Sequence, residues 1–570
     1  MKKQYDYRDP ETIAEVMETL KQKRQNIIKE EETKEETKLD NLLDIKDDKP
    51  DEKNDNDISD EVNKKIENSE SKDSIQDKIE QSNYFFKNIL FFTNDRDEKT
   101  NKTLKNLNDA VKNTDIEIFT FVADEISYKA TDKEISFSDD KTKYKVNEQS
   151  NIDTIVITRL GVQESEECME LIKELQAWGF FVINPIQSAK KASNKYTSAV
   201  LLERYEIPQP RFTLVSKNDI KNGEESLSKK LKRVNKEIGK DLKADEKFEY
   251  VVKILDGHGG TGVFMTNGKG ILAILQAMFA VDEDLELLVQ KKEEADGGDI
   301  RVHVLTMRTQ QKILAAMKRV KISGDFRSNV SLGATAEKVE LTEEQKEIAL
   351  KVAKISGMPW CAVDIMPLVS GSNPEIGDNV VLEYNSSPGT DGISEVIGEN
   401  FVKILLDNIN DVNELVLEPK SIGYLEDITF TTENEQQFTL EAKFDTGNGA
   451  KASTIGCDSL EENGTLIEAV IEGKKYYFKK HGESNAIVGQ VTENRKTVLI
   501  PCIQIGSRKL LNAEFALVDN RNKKQKILIN RDIMTKMGYL INPAKKHVLD
   551  DELSWKFKEE AEKKEQENKQ

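Results

Sequence analysis

Cysteine is scarce in this chain of 570 residues, which contains four, at Cys168, Cys361, Cys457 and Cys502. They lie far apart, so they form neither a disulfide framework nor the C-x-x-C pair of a zinc site. Histidine is equally scarce, and His481 and His547 lack the spacing of zinc ligands. We therefore expect no structural zinc and a reducing, cytoplasmic location.

Long apolar runs and an excess of basic residues are also missing. No window approaches the ~20 apolar residues that a membrane span needs, and the first residues enter charged sequence without the apolar core of a signal peptide. The 104 acidic residues outnumber the 84 basic ones, which gives a formal charge of −20. Such a charge disfavours nucleic acid as a main partner. We expect neither a membrane nor a nucleic-acid partner.

Aromatic residues are absent between Tyr7 and Tyr84, and residues 30–80 are dominated by Lys, Glu, Asp, Asn and Ser. Such a segment buries too little apolar surface to offset its conformational entropy, so residues 1–85 are predicted to be a mostly disordered acidic tether. Asp9 and Pro10 are typical of a helix start, and apolar residues recur on one stripe over residues 10–29. We expect this short amphipathic helix to dock on a partner protein; the alternative is that it packs on the chain itself or frays in solvent.

The rest of the chain reads as several domains, α/β first and then mostly β. Residues 86–187 alternate apolar strands with helical stretches, which predicts a mainly parallel sheet. A second α/β domain is expected over 188–415, and we expect the highly charged segment 217–247 to lie on its surface. Short strands separated by turns predict a β domain over 416–551, followed by a charged tail over 552–570.

A glycine-rich segment follows a predicted strand that carries Lys253. The sequence Asp256-Gly-His-Gly-Gly-Thr-Gly-Val263 has four glycines, at Gly257, Gly259, Gly260 and Gly262. Their backbone can approach phosphates closely. The segment is neither a Walker sequence, which ends in Gly-Lys-Ser/Thr, nor a dinucleotide fingerprint, since strand rather than helix follows it. A plain hairpin turn remains the alternative.

Acidic and amide side chains cluster near later strand ends. Asp299-Ile-Arg301 places an acid and a base on one face of a strand, and Asp364, Glu383 and Asn385 offer oxygen donors. Oxygen donors of this kind suit Mg²⁺. Surface salt bridges are the alternative for each acid, although two polar side chains on one face of the apolar strand at Glu383-Tyr-Asn385 need a partner.

With these motifs in place, residues 87–410 resemble the ATP-grasp ligases of the RimK type, which add glutamate to a protein C-terminus. The strongest stretch is residues 315–329, Ala-Ala-Met-Lys-Arg-Val-Lys-Ile-Ser-Gly-Asp-Phe-Arg-Ser-Asn. The resemblance implies a pre-ATP-grasp domain over 86–187 and an ATP-grasp domain over 188–415. It also implies that Lys195 and Lys253 contact phosphates under the glycine loop, and that the backbone of Gln290, Lys291 and Lys292 binds adenine. Asp299 and Arg301 would belong to the nucleotide and acyl-phosphate site, and Asp364, Glu383 and Asn385 would bind magnesium. Arg319 and Arg327 would contact the carboxylate or the transferred phosphoryl group.

The implied function is an ATP-dependent carboxylate–amine ligase that works through an acyl phosphate. The implied cofactors are ATP and two Mg²⁺ ions, with Mn²⁺ as an alternative metal, and the substrates are an amino acid, such as glutamate, and a peptide or protein. Two departures from the family pattern occur. Lys291-Lys292 replaces a Glu-Tyr pair, and Ser331-Leu-Gly-Ala334 replaces His-Arg-Gly-Gly, which leaves the acceptor open. The competing hypothesis is a structural or peptide-binding scaffold with little or no ligase activity.

The predicted β domain carries Asp445-Thr-Gly447 after a strand. With residues 526–543, this tripeptide resembles the retropepsin-like family long labelled ATP-dependent zinc protease, which implies Asp445 as a catalytic acid. The family's D-T-G-A and Leu-Gly-Arg become Asp-Thr-Gly-Asn-Gly-Ala and Ile529-Asn530-Arg531 here. Aspartic proteases need two carboxylates, and one Asp-Thr-Gly is present, so catalysis would need at least a homodimer.

Overall fold

The computed structural model describes residues 84–131, 134–146, 150–160, 165–221, 224–235, 248–257, 262–320, 335–409, 414–433, 436–488, 491–519 and 525–549. The predicted N-terminal helix, the acidic tether before residue 84 and the tail after residue 551 lie outside these ranges. Within the described ranges, no helix is long and apolar enough to cross a membrane.

The first domain is built on four parallel strands in the order β2-β1-β6-β7, which confirms the predicted parallel sheet. Its apolar strands are buried because helices cover the sheet, and a three-stranded antiparallel sheet, β3-β4-β5, packs beside it. The elements are β1 Asn88–Thr93, α1 Lys102–Val111, β2 Glu117–Val122, β3 Ser127–Ala130, β4 Ile135–Ser138, β5 Lys143–Lys145, α2 Ser150–Asp153, β6 Thr154–Arg159, α3 Glu166–Ala177, β7 Phe181–Ile183 and α4 Ile186–Ser193.

The next region is an antiparallel sheet in the order β10-β9-β11-β8, covered by a long apolar helix, α8. Helix α8 begins at the cap Asn267, whose side chain accepts a hydrogen bond from the Gly270 amide, and it buries Ile271, Leu275 and Met278 against the sheet. The elements are α5 Lys195–Arg204, β8 Phe212–Ser216, α6 Lys217–Lys221, α7 Glu224–Leu231, β9 Glu249–Ile254, β10 Val263–Asn267, α8 Gly268–Val281 and β11 Glu286–Lys291.

The expectation that residues 217–247 lie on the surface is wrong for α7 and the residues that follow it, whereas α6 buries none of its residues. Leu227, Leu231 and Val234 are fully buried in the core under α8. Leu227 and Leu231 are four residues apart, so they share one helical face while the charged residues take the other. Residues 236–247 lie outside the described ranges.

A second antiparallel sheet, in the order β14-β13-β12-β15-β16, completes the middle region. Helix α9 packs on it, begins with a capping box between Thr342 and Gln345, and ends at the left-handed Gly357. The elements are β12 Gly298–Thr306, β13 Gln311–Val320, β14 Thr335–Lys338, α9 Glu343–Ser356, β15 Trp360–Pro367, β16 Asn379–Asn385, α10 Asp391–Ile397 and α11 Phe401–Asp407.

Polar contacts fix the first domain against this second sheet. The buried Asn184 amide donates to the carbonyl groups of Trp360 and Ser386, at 2.6 Å each, and its oxygen accepts from the Trp360 amide at 3.0 Å. The buried hydroxyl groups of Thr103 and Thr390 lie 3.2 Å apart. The end of β7 is therefore tied to the start of β15 and the end of β16, and the start of α1 is tied to the start of α10.

The C-terminal region is a β domain, as predicted. Its nine-stranded sheet runs β18-β19-β26-β20-β25-β24-β23-β22-β21, and because β18 also pairs with β24, the first six strands close into a barrel. The elements are β17 Lys420–Gly423, β18 Leu425–Thr431, β19 Gln437–Phe444, β20 Ser453–Cys457, β21 Ser459–Asn463, β22 Leu466–Ile471, β23 Lys474–Val488, β24 Val491–Ile505, β25 Arg508–Asp519, β26 Ile527–Ile529, α12 Arg531–Lys536 and β27 Tyr539–Asn542.

Candidate active site

A cavity of about 890 Å³ lies between the two antiparallel sheets of the middle region. It collects most of the residues that the sequence singled out: Lys195, Lys253, Gly257, Gln290, Lys291, Lys292, Asp299, Arg301, Arg319, Asp364, Glu383 and Asn385. Cavities of this size are typical of small-molecule sites. Gly262 lies beside the cavity at the start of β10, whereas Gly259, Gly260 and Arg327 lie outside the described residues.

The centre of the cavity floor is a network of carboxylates and guanidinium groups. Asp364 of β15 lies directly across from Arg301 of β12 and from Glu383 of β16, so strand register brings the three together. Arg301 donates to Asp364 through Nε at 2.8 Å and through Nη2 at 2.7 Å. Arg319 of β13 donates through Nε to Asp299 at 2.8 Å and also lies 2.9 Å from Asp364.

This network shifts the pKa values of its two buried acids, Asp364 and Asp299, in opposite directions. Burial opposes ionisation of Asp364, but Arg301 and Arg319 outweigh it and lower the pKa of this carboxyl. Burial, together with the charge of Asp364, raises the pKa of Asp299, although Arg319 opposes that rise. Charge-assisted hydrogen bonds to these carboxylates hold both arginines. The protein rather than solvent therefore fixes the direction of their remaining N–H groups.

Two lysines line the cavity, one from helix α5 and one from the first antiparallel sheet. Lys195 begins α5, whose N-cap is Asn194, and its Nζ donates to the Gly257 carbonyl. Lys253 lies on β9 and makes no hydrogen bond or ion pair with the described residues. Burial lowers the pKa of Lys253 to about 8, with Glu383 opposing the fall, and burial also lowers the pKa of Lys195.

The ends of the glycine segment are anchored beside these lysines. The Lys195 amide donates to the Leu255 carbonyl at 3.1 Å, and the Ile254 amide donates to the Gly262 carbonyl at 2.9 Å. Gly262 has φ +75°, and a Cβ there would lie 2.9 Å from the Ile254 side chain. Glycine is therefore required where the segment rejoins β10.

The segment Gln290 to Lys292 borders the cavity, but two of its amide groups are engaged. The Lys291 amide donates to the Arg211 carbonyl at 2.9 Å, and the Lys292 amide donates to the Glu249 carbonyl at 3.0 Å. Both bonds arise because the chain continues the strand register of β11. An adenine bound at this edge would therefore have to form its hydrogen bonds with groups other than these two backbone amides.

The comparisons with known proteins agree with this geometry. The RimK-like ATP-grasp domain family matches residues 192–409. A protein named "Probable alpha-L-glutamate ligase" from Vibrio atlanticus (strain LGP32) is 30% identical over 279 residues, covering 49% of this chain and 83% of that protein. The chain belongs to the RimK-like ATP-grasp family. A protein of the same name from Teredinibacter turnerae is 30% identical over 255 residues, covering 45% of this chain and 75% of that protein.

Among solved structures, D-alanyl-alanine synthetase A from Vibrio cholerae O1 biovar eltor str. N16961 is similar at 14% identity and a TM-score of 0.41, covering 57% of this chain and 99% of that chain. The RimK-like family makes this chain an ATP-grasp ligase, and ATP-grasp ligases use ATP and Mg²⁺.

The residues present fit a magnesium-bound nucleotide. Glu383 makes no hydrogen bond or ion pair with the described residues, although it is half-buried among charged neighbours. A carboxylate in that setting needs a cation. Asp364 and Asn385 add oxygen atoms from adjacent strands, which is the donor type that Mg²⁺ prefers. The described residues include no group of three His, Cys, Asp or Glu that alone would hold a metal. Phosphate oxygens and water would therefore complete the shell.

Sequence reasoning missed two charged residues of this RimK-like site, Arg159 and Asp391. Arg159 ends β6 of the first domain, and Asp391 begins α10. Both line the large cavity, although the motifs that predicted the site lie elsewhere. Arg159 carried one usable signal, because it directly follows a predicted strand of a parallel sheet, and ligands bind at the carboxyl ends of such strands.

Asp445 lies apart from this cavity, in the β domain. Strand β19 runs parallel to β26 with Phe444 beside Ile529, so Asp445 and Asn530 follow the ends of neighbouring strands. Asp445 accepts a hydrogen bond from the Gly447 amide at 3.0 Å, and Asn448 accepts through its carbonyl from the Arg531 amide at 3.1 Å.

Asn530 explains one departure from the retropepsin-like pattern. Its side-chain oxygen caps α12 by accepting from the Ile533 amide at 3.0 Å, and its amide group donates to the Ala450 carbonyl at 2.9 Å. Asparagine thus joins α12 to the segment after Asp445.

Proposed function

We propose that this chain is an ATP-dependent carboxylate–amine ligase that adds an amino acid, glutamate in the first instance, to a peptide or protein. The observation that carries the proposal is the convergence of two lysines and an unpaired carboxylate, Glu383, on one cavity whose floor is the network around Asp364. Glutamate is the amino acid in the names of the two relatives from Vibrio atlanticus and Teredinibacter turnerae. If instead the purified chain binds ATP but never releases ADP, the scaffold hypothesis is correct.

The proposed roles follow the charges. Lys195 and Lys253 bind phosphates, with Gly257 and Gly262 bounding the loop that covers them. Asp364, Glu383 and Asn385 hold two Mg²⁺ ions. The segment at Gln290, Lys291 and Lys292 borders the adenine, Asp299 orients Arg319, and the arginines at 301 and 319 face the reacting carboxylate or the transferred phosphoryl group. Gly259, Gly260 and Arg327 keep the roles that the resemblance implies.

In the proposed reaction, a substrate carboxylate oxygen attacks the γ-phosphorus of ATP, the bond to the β,γ-bridging oxygen breaks, and ADP leaves. When bound, magnesium offsets charge on the phosphate oxygens. Arg301 and Arg319 are fixed by Asp364, so they hold the carboxylate and the phosphoryl group in line without rearranging. An amine then displaces phosphate from the acyl phosphate, loses a proton and forms the amide.

Replacement of Glu383 by glutamine tests the proposal. The side chain keeps its shape but loses the charge that faces the cation, so ADP release should fall on the order of 10²-fold or more in a coupled assay with a panel of amino acids and peptides. Glu337→Gln, on the exposed edge strand β14, is the matched control and should retain activity. Full activity in Glu383→Gln would refute the assigned site.

We further propose that the β domain acts as an aspartic peptidase in a homodimer. The supporting observation is the placement of Asp445 and Asn530 after adjacent parallel strands, which presents a carboxylate at the end of the barrel. One Asp445 from each copy would supply the two carboxylates, and a homodimer is the smallest oligomer that provides both. A cytoplasmic location and a protein partner for residues 10–29 complete the proposal.

Asp445→Asn in the full chain should abolish cleavage of glutamyl peptides, while Asp532→Asn on α12 should not. Mass measurement of the same preparations should give at least a dimer. Cleavage by a strictly monomeric chain would show that the paired-carboxylate argument is wrong.

A further inference from the structure

A second cavity, of about 370 Å³, opens beside the proposed ligase site between the first domain and α10. Its walls are the end of β1, the start of α1 and the residues before α10. Arg159 and Asp391 line this cavity and also the large one, so they lie at the junction of the two. No role assigned above uses either residue.

Arg159 is a cation with an unused donor at this junction. Its Nη1 is buried and has no hydrogen-bond partner among the described residues, while its guanidinium carbon lies 5.6 Å from the centre of the Trp360 ring. Burial without a counterion lowers the pKa of Arg159 to about 10. Contact with an aromatic face offsets only part of the cost of removing such a group from water. An anion supplied by a ligand would satisfy the free donor.

The walls of the second cavity are held in place by contacts between the first domain and the middle region and by one contact within the first domain. Asn106 donates to the Thr390 hydroxyl at 3.2 Å, and Asn400 donates to the Asn106 carbonyl at 2.7 Å. Asn101 donates to the Thr93 hydroxyl at 2.8 Å. The cavity is thus bounded by fixed polar groups before any ligand arrives, as a binding site requires.

We propose that this junction binds the free amino acid that serves as the amine, with Arg159 holding its α-carboxylate and Asp391 its ammonium group. The inference rests on the proposed ligase function and names the site of its second substrate. A ligase that joins two molecules each bearing a carboxylate must hold one of them away from ATP. Arg159 holds it in the second cavity, while the amine reaches the acyl phosphate in the large one.

This assignment also addresses the acceptor that the sequence left open. The basic pair usual in the family at residues 331–334 is missing here. Arg159 comes from a different domain and provides a cation that can bind the same group, the carboxylate of the amino acid.

The test is equilibrium binding to the full chain, with amino acids and their carboxamides as probes: L-glutamate and isoglutamine, L-alanine and alaninamide, L-lysine and lysinamide. The unaltered protein should bind at least one acid about 10–100-fold more tightly than its carboxamide, because the carboxamide cannot make the charge-assisted bonds. Arg159→Gln should bind the two equally. Arg204→Gln, on the exposed end of α5, should preserve the preference.

Asp391→Asn provides an independent arm, since this residue is exposed and its replacement keeps the fold. It should weaken an acid and its carboxamide by the same factor, because both carry the ammonium group. The inference is overturned if the unaltered protein shows no preference for any acid, or if Arg159→Gln retains that preference. The ligase proposal itself is judged separately by ADP release, so binding with discrimination but no turnover would refute the reaction and leave the amino-acid site intact.

Discussion

Lys253 should destabilise the ligand-free protein, because the cavity keeps its ammonium group away from water without a close anion. The pKa of Lys253 falls from 10.5 to about 8, chiefly through burial. At about 1.36 kcal/mol per unit, the full shift corresponds to about 3 kcal/mol. The side chain retains some exposure within the cavity, so we expect a cost of about 1–3 kcal/mol.

Lys253→Met keeps the length of the side chain and removes the charge. At pH 7 the ligand-free variant should unfold about 3–8 °C higher than the unaltered protein in the transition of the ATP-grasp region. Its ATP affinity should fall about 10–100-fold, because a charge-assisted bond to phosphate is lost. Thermal unfolding and ATP titration measure both effects, and Lys338→Met, on the exposed end of β14, is the control for removing a lysine charge.

The pH dependence gives the sharper criterion. The folded pKa lies below the unfolded one, so between pH 8 and pH 10.5 the unfolded chain binds more protons than the folded chain at this position. The cost is therefore complete below pH 8 and disappears as the pH rises towards 10.5. The stability gap between Lys253→Met and the unaltered protein should close over this interval. A gap that is negative at pH 7, or constant across the interval, would refute the reasoning.

Two further predictions concern the architecture. Gly298→Ala places a Cβ 2.1 Å from the Arg319 carbonyl oxygen, so it should separate β12 from β13, cost about 3 kcal/mol or more in unfolding measurements, and weaken ATP binding. Gly371 also has a positive φ, of +74°, but open space surrounds it, so Gly371→Ala should cost only about 1 kcal/mol; equal losses in the two variants would contradict the steric argument. Deletion of residues 1–80 should leave ATP binding intact, and residues 30–80 should be cut readily by proteases; loss of ATP binding on deletion would show that the segment supports the ligase.

The sequence predicted the parts of the fold that depend on local pattern. The apolar runs at β1, β2 and β6 predicted a parallel sheet, since strands buried on both faces are continuously apolar. The resemblance implied that Glu383 and Asn385 share a magnesium site with Asp364, and strand register brings the three side chains onto adjacent strands. The lysines and the acids follow one another along the chain in the same order as in the RimK-type family. This order predicted that they share one cavity, and the cavity contains them.

The sequence did not predict how the charged groups pair, because pairing depends on strand register over long separations. Arg301 meets Asp364 only because β12 lies beside β15, and a bulge after Asp364 shifts β16 so that Glu383 lies opposite. The burial of α7 was missed because its apolar residues are few among many charges. Arg159 was missed because its importance depends on the approach of Trp360 from another domain.

The unpaired charges of the site form a pattern that only its substrates complete. Among the described residues, Lys253 and Glu383 make no ion pair, although each charge favours the other, and Nη1 of Arg159 makes no hydrogen bond. Burying such groups costs stability in the free protein, whereas Arg301 and Arg319, which line the same cavity, are balanced by Asp299 and Asp364. In the proposed reaction, Arg301 and Arg319 position the reacting atoms, and the groups without an ion pair bind phosphate, carboxylate and magnesium. Each substrate should therefore raise the unfolding temperature of the chain, and ATP with magnesium should raise it more than ATP alone, because only that combination neutralises both Lys253 and Glu383.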